Sequence, residues 1–335
     1  MGFILPYFEK KEEKKERIPF VDLFCGGGGS ARGYFEAGYE PLISIDKDWA
    51  ALETYNYNFT SAITWQKDIS LLRAEDIIKT LRKEFNISRV PLVIASPPCE
   101  PYTSANEKRK RRPEERIYED PQGRLMLHAI RLIGDLEPEI FVIENVVPSI
   151  SGETGRIIKE ELSEVGYGKV IYNVIEAKEH GVPSARKRVF ISNSNLSLPQ
   201  KKPMKIKEAI GDLPDPRYPH GINAHEFVPT PTKYEEQIYK VLPNQSLMFF
   251  RGANKEYGNY TRLVWNSVAP TIMGKSRFIH PIDDRLLTPR EHARLMSYPD
   301  HHYFLGTIDQ KFNLVGESVP PLLTYFMGNI IKKKI

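Results

Sequence analysis

The sequence predicts an α/β fold with a mostly parallel sheet, joined to a small irregular module. Three observations predict it. Short apolar runs alternate with amphipathic helical stretches from residue 18 to about 177, the pattern of strand–helix–strand units. Several of those runs stop at a glycine turn, a proline pair or an acid, as strands do where they enter a loop. From about residue 196 the texture changes: "LSLPQKKPMKIKEAIGDLPDPRYPHGINAHEFVPTPTKY" is proline-rich and has no long helical period. The 335 residues suffice for one large or two modest domains with a real core.

Each element follows in order. Residues 8–17 carry mixed charge and read as a frayed tail or helix. "IPFVDLFCGGGGSARGYFEAGY" is strand, glycine turn, helix, and "EPLISIDKDWAALETYNYNF" repeats the form with a strand ending at Asp46. "ITWQKDIS" is a third short strand with Asp68 near its end. "RAEDIIKTLRKEF" is helical by its apolar spacing, and "VPLVIASPPC" is a buried strand stopped by proline. "GRLMLHAIRLIGDL" is an amphipathic helix, "PEIFVIENV" a buried strand, "GRIIKEELSEVGY" a helix and "VIYNVIEA" a strand. Arg186 and Arg188 begin another strand in "GVPSARKRVFI". After the irregular stretch of 196–264, Thr288, Pro289 and Glu291 open a helix with a capping box. "GESVPPLLTYFMGNIIKKK" closes the chain as a turn and an apolar helix.

Composition excludes several classes. No apolar run reaches membrane-spanning length. The opening is too short and wrongly flanked for a secretory signal, and Pro6 stands where a myristoylation site needs Ser or Thr. Two cysteines, Cys25 and Cys99, make no disulfide framework, and no Cys/His cluster has zinc spacing. A reducing cytoplasm is the expectation. The net charge of +4 says little, but "NEKRKRRPEER" (106–116) and "KKPMKIK" (201–207) are local basic runs. The first follows Cys99 closely and could meet phosphates near a reactive centre.

The glycine turn holds Gly26, Gly28 and Ala31 in G-x-G-x-x-A spacing, between a strand and a helix. Such glycines let backbone approach a ligand and let helix pack on strand. Asp46, twenty residues beyond Gly26, is placed to accept from ribose hydroxyls. The spacing leaves nicotinamide, flavin and S-adenosylmethionine cofactors open. Asp68 could accept an adenine amino group or serve as a plain cap. Ligands in open α/β sheets bind at the carboxyl ends of strands, where Cys99 and Glu144 both fall. Pro97 and Pro98 stiffen the backbone before Cys99. Arg186 and Arg188 could supply the positive charge that eases thiol ionisation. Each residue alone reads equally as structure; their shared strand-end placement favours chemistry.

Taken together, these segments resemble the cytosine-C5 DNA methyltransferase family. "DLFCGGGG" is similar to its cofactor motif, "SIDKD" to its ribose-binding segment and "KDI" to its adenine-contacting one. "SPPC" resembles the catalytic loop, "IENV" the Glu-Asn-Val motif and "SARKR" the Q-x-R-x-R motif. "RLLTPREHARLMSYPD" and "GESVP" resemble the segments that close the fold. Ser184 and Glu317 depart from the usual Gln and Asn, and "CEPYT" from Cys-Gln-x-Phe-Ser. The resemblance implies a Rossmann-like S-adenosylmethionine-dependent sheet over 18–195 plus 265–335, a tail at 1–17 and a target-recognition domain at 196–264.

It further implies a prokaryotic, nucleoid-associated enzyme, monomeric on double-stranded DNA, with a cognate restriction endonuclease as a possible companion. Cys99 would add to C6 of a flipped-out cytosine. Glu144 would serve ring N3 and Arg188 the base carbonyl, with Arg186 and Asn145 in support. Cofactor contacts are expected at Phe24, Gly26, Gly28, Gly29, Asp46, Lys47, Asp68, Ile69, Pro97 and Ser318. DNA contacts are expected at Ser104, Asn106, Lys108, Arg109, Arg111, Arg217 and Arg251. Asn223, Gln245 and Arg262 are also chemically able to read base edges. An RNA cytosine methyltransferase is the alternative, and its branch carries a Cys-Phe-Thr signature that this chain lacks.

Overall fold

The computed structural model describes residues 16–335, so all but the last two residues of the expected tail lie outside it. Seven strands form the main sheet: β1 (Ile18–Leu23), β2 (Tyr39–Asp46), β3 (Ile63–Gln66), β4 (Leu92–Ala95), β5 (Ile140–Asn145), β6 (Ile171–Glu176) and β7 (Lys187–Ser192). Their order is β3-β2-β1-β4-β5-β7-β6. The first five run parallel, while β7 runs antiparallel to both β5 and β6. The chain winds outward from β1 to β3, then returns to the other side of β1 at β4. The crevice at that reversal lies at the carboxyl ends of β1 and β4, where open α/β sheets take their ligands.

Alternation along the strands feeds two cores. Phe20, Leu92 and Ile94 face helices Gly29–Glu36, Trp49–Asn58 and Pro321–Ile331. Val21, Leu23, Val93 and Ala95 face helices Ala74–Phe85, Arg124–Leu136 and Glu153–Glu164. Burial on both faces explains why these strands read as near-continuous apolar runs. The C-terminal helix packs so tightly on the first that a Cβ at Gly33 would strike Pro321 O and Thr324 Oγ1.

The smaller lobe has its own sheet, ordered β10-β9-β8 from β8 (Ser246–Arg251), β9 (Glu256–Arg262) and β10 (Phe278–Ile279). Its pairing crosses residue 264: Phe278 and Ile279 of β10 join Thr261 and Arg262 of β9. The core beside it likewise mixes Ile206, Ile210 and Leu263 with Phe278, Leu295 and Tyr298. The capping box at Thr288 is formed, with Thr288 Oγ1 accepting from Glu291 N and the Glu291 carboxylate accepting from Thr288 N at 2.7 Å.

Candidate active site

Strand β1 ends in a turn where Phe24, Gly26 and Gly28 all hold positive φ, at 59°, 50° and 83°. Gly26 N donates to Asp46 Oδ2 at 2.8 Å, and Asp48 N donates to Asp46 Oδ1 at 2.9 Å. Burial pushes the Asp46 carboxyl pKa up, and these two hydrogen bonds oppose it. A Cβ built on Gly26 meets nothing within 4 Å, so this glycine opens onto the crevice. Gly28 and Gly29 pack instead. A Cβ on Gly28 would stand 2.5 Å from the Phe59 ring; on Gly29 it would run into Tyr298 Oη and stand 2.7 Å from Ser318 Cβ.

The other expected cofactor contacts line the same edge. Lys47 is exposed beside Asp46. Asp68 is exposed and is a cap as well: its Oδ1 accepts from Ser70 N at 2.8 Å and Ser70 Oγ at 2.7 Å, which lower its pKa. Its second oxygen remains available to a ligand. Ile69 is buried in the core, with Phe24 packed against the same cluster. An open glycine backbone flanked by two carboxylates with spare acceptor capacity fits an adenosine-bearing cofactor.

Strands β4 and β5 are neighbours, with Ala95 opposite Ile143, so the Cys99 loop and Glu144 emerge side by side. Pro97 is buried. Asn145, fully buried, joins the two ends: its Nδ2 donates to Pro97 O at 3.1 Å and its Oδ1 accepts from Val146 N at 2.9 Å. Glu144 forms an ion pair with Arg188 Nε of β7 at 3.1 Å. The paired atom is its buried Oε1, which has no hydrogen-bond partner besides that ion pair among the described residues. Burial raises the Glu144 pKa against the pull of Arg188 and Arg186.

Arg186 is buried and donates to Ile272 O at 2.7 Å and Gly316 O at 3.0 Å, while its Nε has no hydrogen-bond partner among the described residues. Burial, then Arg188, lowers its pKa to about 9. It therefore bolts the catalytic strands to the segments that close the fold. Ser184 sits nearby, donating to Pro270 O at 3.1 Å. The Glu317 pKa is raised by desolvation and then by Glu100 and Asp48. The expected arginine pull on the Cys99 thiol is present, against a larger opposing effect. Arg188 and Arg186 do pull its pKa down, but burial, Glu100 and Glu144 outweigh them and hold it at about 11. In the DNA-free chain Cys99 is a thiol.

The segment after Cys99 is stapled to itself. Asn106 Nδ2 donates to Glu100 O at 3.0 Å, and Arg109 Nη1 to Tyr102 O at 3.0 Å. Lys108 and Arg111 are exposed. Ser104 meets the smaller lobe, its Oγ 2.8 Å from Tyr257 Oη. Arg251 is exposed, 3.7 Å from Glu107. Arg217 is gripped by Asp215, donating through Nε at 2.9 and 3.0 Å and through Nη2 at 2.6 Å. Gln245 is exposed, its Oε1 accepting from Leu242 N at 3.2 Å. Two candidate base readers are corrected. Arg262 is buried, and its guanidinium is spent on Val241 O, Ile238 O, His280 O, Asp283 O and Asp284. Asn223 spends its amide on Phe304 and Arg290.

Sequence reasoning missed Tyr298, His302 and Tyr257. His302 accepts from Arg32 Nε at 3.2 Å and lies 3.1 Å from Gly27 O, bracing the glycine turn from behind. Its sequence separation from that turn, 275 positions, leaves no local signal. Tyr298 lies beneath Gly29 and within the motif-like "LMSYPD", which was the available signal.

Residues 18–333 match the family model for C-5 cytosine-specific DNA methylase. A candidate type II methyltransferase of Methanocaldococcus jannaschii is 38% identical over 370 aligned residues, covering 95% of this chain and 99% of the relative. The type II methyltransferase M.DdeI of Desulfomicrobium norvegicum is 28% identical, over 93% of this chain and 88% of the relative. Among solved structures, a DNA modification methyltransferase candidate from an E. coli prophage superposes with a TM-score of 0.76 at 23% identity, covering 94% and 99% of the two chains. The match to the family model over almost the whole described chain, with the M. jannaschii relative beside it, means that this protein belongs to the C-5 cytosine-specific DNA methylase family.

Proposed function

We propose that this chain methylates C5 of a flipped-out cytosine within a short duplex DNA sequence, with Cys99 as nucleophile and S-adenosylmethionine as methyl donor. One observation carries the reading. Cys99 and Glu144 emerge at the carboxyl ends of adjacent parallel strands, beside an open glycine cradle, with Glu144 buried and ion-paired to Arg188. Asp46, Asp68, Lys47 and the Gly26 backbone would hold the cofactor, with Phe24, Ile69 and Pro97 shaping the floor. Gly28, Gly29 and Ser318 would set the turn from behind. When bound, that cofactor supplies an electrophilic methyl group on a sulfonium.

The residues of this chain prepare the base. Cys99 loses its proton to solvent as Sγ bonds to C6, and the C5–C6 π-electrons move towards the ring's N3 edge. Glu144, whose raised pKa suits it to hold a proton, meets that developing charge. C5 thereby becomes a carbon nucleophile. Arg188, beside Glu144, holds the base carbonyl, and Asn145 keeps the Cys99 loop in place through Pro97 O. With C5 carrying the transferred methyl, loss of the C5 proton to solvent restores the C5–C6 double bond as the C6–S bond breaks and Cys99 leaves as thiolate. Reaching C6 requires extrusion of the base from the stack, at a few kcal/mol.

The 196–264 region would read the site. Arg251 at a hairpin end is exposed, and Lys108 and Arg111 are free to meet phosphates. The same reading includes action as a monomer on double-stranded DNA, a prokaryotic cytoplasmic setting at the nucleoid and a cognate restriction partner, the last supported by the type II names of the relatives. Labelled methyl transfer to duplex DNA tests the reading, with bisulfite mapping of the product. Wild type is expected to mark one short motif and Cys99→Ser none. Transfer to tRNA alone would establish the RNA alternative, and activity in Cys99→Ser would remove the covalent scheme.

A further inference from the structure

The tip of the β8–β9 hairpin is in backbone contact with the catalytic loop. Ala253 N donates to Ser104 O at 2.8 Å, and Ser104 Oγ lies 2.8 Å from Tyr257 Oη. Gly252 lies between the two segments. A Cβ there would stand 2.6 Å from Ser104 O and 2.5 Å from the Tyr257 ring, so only glycine lets the segments meet this closely. The tip itself is rigid. Gly252 N donates to Lys255 O at 2.9 Å, Phe250 stacks on Tyr257 at 5.4 Å, and Lys255 Nζ sits 4.9 Å from the Tyr257 ring.

On the other side, Ser104 leads directly to the thiol. Tyr102 N and Thr103 N both donate to Cys99 O at 3.0 Å, forming one tight turn, and Asn106 staples the loop to Glu100 O. A shift of Ser104 therefore moves the turn on which Cys99 rides. Tyr257 and Ser104 are 153 positions apart in sequence, so this contact joins two lobes rather than tidying one loop.

We infer that the hairpin tip is a positioning clamp for the nucleophile: Gly252, the Ala253 amide and the Tyr257 hydroxyl grip Ser104, so that the hairpin's seating on DNA sets where Cys99 sits. Tyr257 is a positioning residue that acts through Ser104. The inference rests on the methyltransfer reading for its catalytic consequence, while the grip itself is measurable without activity.

Three variants of the full chain test it: Tyr257→Phe, Ser104→Ala and Gly252→Ala. In DNA-free protein, hydrogen–deuterium exchange over residues 100–106 is expected to quicken about fivefold to tenfold in each, the scale of one lost hydrogen bond. With a 5-fluorocytosine duplex and cofactor, the single-turnover rate of covalent trapping is expected to fall about tenfold, with the duplex affinity of Tyr257→Phe and Gly252→Ala within about twofold of wild type. The Ser104→Ala/Tyr257→Phe double variant should be no slower than the slower single, since both remove one contact. Unchanged exchange in all three overturns the clamp, as does a loss confined to duplex affinity or an additive double variant. Failure of the wild type to trap the duplex would strike the methyltransfer reading, and the exchange measurement would still decide the grip.

Discussion

Raising the pH of the DNA-free protein should reveal a reluctant thiol. Burial comes first among the causes that raise the Cys99 pKa, then Glu100 and Glu144, and the two arginines recover only part of the rise. With the pKa near 11 against an ordinary 9.0, the thiolate at pH 8 falls from about one molecule in ten to about one in a thousand. Nucleophilicity towards iodoacetamide follows the thiolate fraction, so alkylation at pH 8 should run about a hundredfold slower than for an unperturbed cysteine. The assay is mass-spectrometric alkylation of the Cys99 peptide across pH 7 to about 11, Cys25 being buried and resolved on its own peptide. The sign for stability follows. A folded pKa above the unfolded one costs nothing below about pH 9, and stability is lost as pH rises from there through the folded value. Glu100→Gln should lower the alkylation midpoint and Arg188→Gln should raise it. A wild-type midpoint at or below 9.0 would refute the assignment of burial as the dominant cause.

Asn145→Ala leaves Pro97 O and Val146 N without their partner in a fully buried place; at about 1–3 kcal/mol for each group, urea unfolding should show a loss of about 2–6 kcal/mol. Glu144→Gln should abolish methyl transfer. Because burial raises the Glu144 pKa, wild-type stability relative to this variant should decline as pH climbs through that pKa, which paired denaturation series would record. Gly29→Ala drives a methyl into Tyr298 and Ser318 and should cost about 1–3 kcal/mol by overpacking, with weaker cofactor binding in calorimetry. Arg262→Met should destabilise by about 3–5 kcal/mol, leaving the sequence specificity of the remaining folded enzyme unchanged in methylation mapping.

What the sequence made legible was local. Strand ends at Asp46, Ala95 and Asn145 could be read because an apolar run gives way to an acid, a Ser-Pro-Pro turn or an amide there. The Thr288 cap could be read because three positions contain all its parts. The reversed direction of β7 could not, because "KRVFIS" has the same alternation whichever way it runs; its neighbours decide. The net balance at the Cys99 thiol was out of reach of the sequence for a related reason. The arginines were visible in "SARKR", but the desolvation that outweighs them comes from the packed loop. Arg262 and Arg251 look alike in sequence, and only the fold separates a buried brace from an exposed side chain.

That separation changes what the net charge of +4 means. Arg186, Arg262, Arg285, Arg290 and Arg294 are buried, and each donates to backbone carbonyls that would otherwise be stranded in the smaller lobe and its junction. These cations are cross-braces, and they cannot also serve phosphates. The exposed basic charge that remains near the site is concentrated in the loop, at Lys108, Lys110 and Arg111, a few residues past Ser104. The same short segment thus carries the proposed nucleophile at one end, the exposed charge proposed to meet phosphates at the other and the hairpin's inferred grip between them. An electrostatic pull from the duplex on residues 108–111 and a steric hold at Ser104 act on the one turn that carries Cys99. Raising the salt should therefore weaken duplex affinity through the lysines and arginines while leaving the Ser104–Tyr257 coupling energy unchanged. A coupling that faded in parallel with affinity would mean that the hairpin contact is secondary to charge.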